Sequence, residues 1–195
     1  MESAVYQLKP SLNLQWNQLP LGGSNWLKVT NSVEIFLNLA LSLIHPKLFK
    51  CGLLMLQQLR KMETTKGIAS EWQSVYTGIQ IISNRMTPAH WDSKGRLEWF
   101  DLLANFSGSG SKPRLLIEDL GLNLNYPSGT VVSLCGTVLQ HEVRAWGGGD
   151  RVCYAHFMRE QVRKRLQVSP AGWIEQGMYG QYLSDSVRAS KKFIG

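Results

Sequence analysis

At Trp72 the spacing of apolar residues along the chain changes. Upstream, Val33, Phe36, Leu37, Ala40, Leu41 and Ile44 recur every three or four positions, the period of a helix that buries one face. Downstream, the apolar residues fall into short runs cut by turn residues, as antiparallel strands of a sandwich or barrel require. The runs cover 75–83, 97–106, 114–120, 122–126, 130–135, 138–143 and 151–158. A Gly/Ser loop at 107–112, the turn Pro127-Ser128-Gly129 and the turn Gly147-Gly148-Gly149-Asp150 separate some of them. Seven or eight strands are predicted, behind helices, so the fold class is α+β, mainly β.

Two helices are predicted within 30–62. Asn31 and Glu34 have capping-pair spacing, and Pro46 can end the first helix and open the second. In the second, Leu48, Phe49, Leu53, Met55, Leu56 and Leu59 face a core, while Lys47, Lys50, Gln57, Arg60 and Lys61 form a wet side. A short helix is expected over 159–167 and a loose tail over 169–195. The 195 residues are predicted to form one domain: a helical support (1–71), a β core (72–166) and a tail (167–195).

Hydrophobic residues at 44% and charged residues at 18% exclude disorder for the bulk of the chain. Three cysteines without a CxxC pair indicate neither a disulfide framework nor a cysteine zinc site. The apolar run 33–44 is shorter than the ~20 residues of a membrane span, and Met1-Glu2-Ser3 does not open a signal peptide. No membrane association is expected, and an intracellular location is. A formal net charge of +7 favours a polyanionic partner.

The chemistry lies in the second half. His90 and Asp92 form an H-x-D pair at the end of a strand-like stretch, where alternation puts both on one face and Trp91 on the other. His141 lies near the end of another run. Two histidines and one carboxylate on one face of an octahedron are the ligand set of non-haem Fe(II) oxygenases, which keep other positions open. Arg151 begins the last run, and its planar charged fork suits the far carboxylate of a dicarboxylic cosubstrate. Arg144 competes for that role, and Arg151 has a simpler reading as a partner of Asp150 or another acid. The order H-x-D, His, Arg on a β-rich chain is more specific than any one part.

Several neighbours carry two readings each. Asn84 and Arg85 either hold cosubstrate or substrate, or close a polar turn. Asp101, in the apolar stretch 99–103, is costly unless paired or lining a cavity; it accepts from the amine of a flipped base or pairs with an arginine. His156 falls opposite Arg151 by alternation and is expected to be packed or solvent-facing. His45 reads as a helix-junction residue, and Cys135 and Cys153 as small core residues. From Arg159 to Lys192, seven Lys or Arg stand against three Asp or Glu, either contacting DNA phosphates or forming a solvated helix face.

The stretches Asn84-Arg85-Met86-Thr87-Pro88-Ala89-His90-Trp91-Asp92, Trp99-Phe100-Asp101-Leu102-Leu103, Pro127-Ser128-Gly129-Thr130-Val131-Val132, His141 and Gly149-Asp150-Arg151-Val152-Cys153-Tyr154-Ala155 together resemble the TET/JBP group. These are 2-oxoglutarate- and Fe(II)-dependent nucleic-acid dioxygenases, and the likeness is greatest to the fungal, transposon-associated branch. Trp91 departs from the polar or basic residue expected between the two ligands.

The resemblance implies a double-stranded β-helix (jelly-roll, cupin-like) core with N-terminal helices packed on one sheet. It implies Fe(II) held by His90, Asp92 and His141 as the catalytic centre, and 2-oxoglutarate held by Arg151 with Asn84. Asp101, Arg85 and Trp91, with Trp99 as a further aromatic, would meet a flipped methylated base in DNA. The implied reaction oxidises the methyl group of 5-methylcytosine to 5-hydroxymethylcytosine and beyond, a step of DNA demethylation, in the nucleus, by a monomer with no obligate protein partner. The same iron chemistry on N6-methyladenine, thymine or an RNA base, and a non-catalytic nucleic-acid-binding jelly roll, are the alternatives.

Overall fold

The computed structural model describes residues 22–93, 95–108 and 112–194. The N-terminal reading at Met1-Glu2-Ser3 and positions 109–111 of the Gly/Ser loop lie outside the described residues. The helices are α1 (Gly22–Ile44), α2 (Pro46–Lys61), α3 (Lys66–Glu71), α4 (Glu160–Arg165) and α5 (Tyr179–Ile194). The strands are β1 (Gly78–Ser83), β2 (Thr87–His90), β3 (Asp101–Asn105), β4 (Arg114–Ile117), β5 (Leu122–Asn125), β6 (Val131–Leu134), β7 (His141–Val143) and β8 (Val152–Phe157). The chain divides into two compact units, Gly78–Glu160 and the helical remainder on either side.

In the helical unit α1 starts at Gly22, so Asn31 and Glu34 lie inside it and are not the expected capping pair. Between Gly23 and Asn31 no proline or further glycine stops the helix from extending upstream. This lengthens the apolar segment to Asn25–Ile44, 20 residues of mean hydropathy 1.4, which by length and composition can cross a membrane. The expectation of a shorter run is therefore corrected. One side of α1 is engaged: Leu37 and Leu41 are buried, and the Asn38 amide donates to Gln73 O (2.7 Å) and accepts from Val75 N–H (3.0 Å). Val29, Phe36, Leu39 and Leu43 are exposed.

Pro46 opens α2, and His45 caps it by accepting the Leu48 N–H on Nδ1 (3.1 Å), the junction role expected of it. The stretch 169–195, expected to be loose, contains the 16-residue α5, which packs on α2. Its inward stripe was hard to recognise because small and polar residues replace aliphatic ones: Ser186 is fully buried, and Tyr179 donates its hydroxyl to Leu43 O.

The β unit consists of two four-stranded antiparallel sheets, ordered β1-β8-β3-β6 and β2-β7-β4-β5. Both contribute to one core, in which Leu115, Ile117, Tyr126 and Val143 meet Leu134 and Cys153. The run 138–143 yields only three strand residues because a tight turn precedes them, with Val138 N–H and Leu139 N–H both donating to Cys135 O (3.0 and 2.9 Å).

Asn105 holds the loops at one end of this unit. It is fully buried, donates from Nδ2 to Tyr126 O (2.6 Å) and accepts the Ser107 hydroxyl on Oδ1 (2.8 Å). Its backbone pairs with Thr130 O and Gly129 N–H. Removing the amide leaves buried partners unsatisfied, at about 1–3 kcal/mol each. Asn105→Ala should therefore destabilise the protein by about 2–4 kcal/mol in urea denaturation, with a smaller loss for Ser107→Ala, which deprives only Asn105 Oδ1 of its donor.

Candidate metal centre

The antiparallel β2–β7 ladder sets Thr87 opposite Val143 and His90 opposite His141. Three steps along β2 match two along β7, so β2 carries an extra residue, a bulge that re-aims side chains. The two imidazoles meet across the strands, ring centroids 4.3 Å apart. Each ring is oriented by its own backbone: His90 Nδ1 lies 2.9 Å from Pro88 O and His141 Nδ1 lies 3.0 Å from Leu139 O. With Nδ1–H donating to these carbonyls, each Nε2 lone pair is free to ligate.

Asp92 completes the cluster. His90 Nε2 is 3.8 Å from its Oδ1 and His141 Nε2 is 3.9 Å from its Oδ2, so the carboxylate spans the two rings. One ligand atom from each of the three residues lies within 4.8 Å of the others, a grouping that can hold a metal ion. Burial lowers the pKa of His141, ahead of its other influences, so it stays in the neutral form that a metal needs.

The cluster borders a cavity of about 340 Å³ whose wall includes Arg85, Thr87, Tyr126, Arg151 and Cys153. Arg151 is 1% exposed, its guanidinium 6.0 Å from the Tyr126 ring centroid and 5.8 Å from that of Trp146. Nη1 donates to Arg85 O (3.0 Å), whereas the buried Nε has no hydrogen-bond partner. Thr87 Oγ1, on the same wall, is likewise buried without one. Unpaired buried donors are costly and rare. Arg144 lies outside the cavity wall, exposed, with Nε bonded to Glu142 Oε1.

The other predicted site residues divide. Arg85 and Trp91 line the cavity, Trp91 at 53% exposure; β2 ends at His90, so alternation does not carry Trp91 to the far face. Asn84 does not line it. Its Oδ1 accepts Arg151 N–H (2.7 Å), its N–H donates to Arg151 O (2.8 Å), and Nδ2 bonds Asp150 (2.8 Å), so it locks the Arg151 backbone. Asp101 lines the wall and hydrogen-bonds Asp92, and among the described residues the Arg159 charge also acts on its carboxylate. Trp99 is buried away from the cavity, and His156, expected to face away from Arg151's side, is buried on the cavity wall. Thr87, Tyr126 and Trp146 were not legible in the sequence. The bulge reverses the parity between Thr87 and His90, and Trp146 reaches Arg151 from a loop with glycines at positive φ (Gly147 84°, Gly149 81°).

No family model matches this chain, and no curated protein matches it. Among solved structures, NgTET1 in complex with 5mC DNA is similar in fold, with a TM-score of 0.54 and 13% identity over 91% of this chain. The chain spans 61% of that protein's length. At this identity the likeness is one of fold, a mixture of helices and antiparallel sheets.

Burial, and after it the neighbouring Asp92 charge and hydrogen bond, raise the Asp101 pKa well above its usual value. Such a group is protonated in both states below about pH 4; above that the unfolded state loses its proton first, so stability falls as pH rises through the folded-state value. Metal-free Asp101→Asn should show a flatter pH dependence than wild type, measured by urea denaturation from acid to neutral pH. A parallel dependence would contradict the protonated assignment.

Proposed function

We propose that this chain is a 2-oxoglutarate- and Fe(II)-dependent dioxygenase that oxidises the methyl group of 5-methylcytosine in DNA. The observation that carries this reading is the convergence of His90, Asp92 and His141 beside a cavity holding a buried arginine with an unpaired Nε. Two imidazoles and one carboxylate suit Fe(II). The two four-stranded antiparallel sheets support a double-stranded β-helix, with His90 and His141 facing each other across β2 and β7 and Asp92 just beyond the end of β2.

Fe(II) and 2-oxoglutarate bound there supply oxidative decarboxylation coupled to hydroxylation of the methyl carbon. The chain's own residues do the rest. Pro88 O and Leu139 O accept from Nδ1 of each histidine, and Asp101, its pKa raised by burial and by Asp92, hydrogen-bonds the Asp92 carboxylate. Arg151 and Thr87 supply donors for the far carboxylate of the cosubstrate, and Asn84 fixes the Arg151 backbone. Because a methyl group inside the duplex stack is out of reach, the base must be flipped, and Trp91 at the cavity rim offers a stacking surface. The fold's likeness to a protein bound to 5mC DNA supports the base. The net charge of +7 supports the polymer, and with it a nuclear site of action.

The experiment is incubation with Fe(II), 2-oxoglutarate and duplexes carrying 5-methylcytosine, N6-methyladenine or neither, followed by nucleoside mass spectrometry. 5-Hydroxymethylcytosine is expected. Oxidation of the adenine methyl instead would reassign the substrate, and no product on any duplex would sink the enzyme reading. Arg151→Ala should weaken 2-oxoglutarate binding by about 2–5 kcal/mol in calorimetry on Mn(II)-loaded protein. Arg144→Ala should leave it unchanged, and Thr87→Val should cost about 1 kcal/mol. The reverse ranking of the two arginines would overturn the assignment.

A further inference from the structure

The turn at 135–139 touches two of the three candidate ligands. Gly136 O accepts the Asp92 N–H (2.8 Å), and Leu139 O accepts His141 Nδ1 (3.0 Å). The turn is closed by the two bonds to Cys135 O and tied back to Leu97 O by the Cys135 thiol (2.9 Å). At Gly136 the contact with Asp92 is steric as well. A Cβ added there would overlap Asp92 Oδ2, stand 3.1 Å from Asp92 Cγ and approach Asp101 Oδ2 to 3.2 Å. Gly136 is not among the glycines at positive φ, so its backbone conformation is open to any residue. What excludes a side chain is the carboxylate itself.

We propose that Gly136 is a positioning residue of the metal centre: its missing side chain is the space that lets the Asp92 carboxylate lie between His90 and His141. This rests on the reading of those three residues as metal ligands. With a methyl group at 136, Asp92 must turn away from the rings or the turn must retreat, and retreat also draws Leu139 O from His141. Either movement spoils the ligand set without touching a ligand.

The test is titration of wild-type and Gly136→Ala protein with Co(II), followed by calorimetry and by the visible ligand-field absorption of the bound ion. Gly136→Ala should bind Co(II) at least tenfold more weakly and with an altered spectrum, which a merely structural loss would not produce in the folded fraction. A double-mutant cycle on metal-free protein covers the case in which Gly136→Ala folds poorly. Removing the carboxylate with Asp92→Ala should relieve much of the stability lost on Gly136→Ala. Unchanged affinity and spectrum in Gly136→Ala, or the same stability loss with and without the Asp92 carboxylate, would overturn the inference. If wild-type protein binds no Co(II), the metal-centre reading fails first and this inference falls with it.

Discussion

The cross-strand pairing of His90 with His141 is the constraint on which the site depends. A ladder fixes the separation of opposite residues to within a fraction of an ångström, so two ligands arrive together without any specific attraction between them. The third is placed by different means. Asp92 lies beyond the end of β2, where the ladder no longer acts, and a hydrogen bond to Gly136 O takes its place. The precision of the cluster thus comes from backbone bonding of three segments, 87–92, 135–139 and 141–143. The side chains inherit it.

The arginine is placed by a different network. Burying a guanidinium is tolerable only when its donors and charge are answered. Arg151 gives Nη1 to a backbone carbonyl and lies near two aromatic rings, Tyr126 and Trp146. Its main chain is clasped on both sides by Asn84, which itself takes a positive φ of 47° to do so. One donor, Nε, is left buried without a partner. Arg144 is an exposed residue just past β7, bonded to Glu142, with no burial to organise it. The difference between two arginines seven positions apart is therefore one of surroundings rather than of residue type.

Two carboxyls close together make the centre sensitive to what is bound there. Burial first, and then the Asp92 carboxylate beside it, raise the Asp101 pKa, so it binds its proton more tightly than an ordinary carboxyl. A cation between Asp92 and the histidines would draw the Asp92 charge toward itself and ease that repulsion. The same two carboxyls border Gly136, so the polar arrangement and the packing at that turn are one arrangement.

Much of this was legible in the chain by itself. The change of period at Trp72 fixed where helices give way to strands, because apolar spacing follows directly from the geometry of each element. H-x-D, the later histidine and Arg151 were legible because their residue types are scarce and their chemistry narrow. What the tertiary structure alone decided were parities and surroundings. The bulge in β2 brings Thr87 to the cavity wall, three residues from His90, where simple alternation puts it on the far face. Asn84 became a clasp on the arginine backbone, α5 arose from a stretch too polar to announce a helix, and Gly136 acquired meaning only from the carboxylate beside it. A sequence encodes periodicity and chemical type locally, whereas a bulge, a buried clasp or an absent side chain matters only through residues brought near by the rest of the fold.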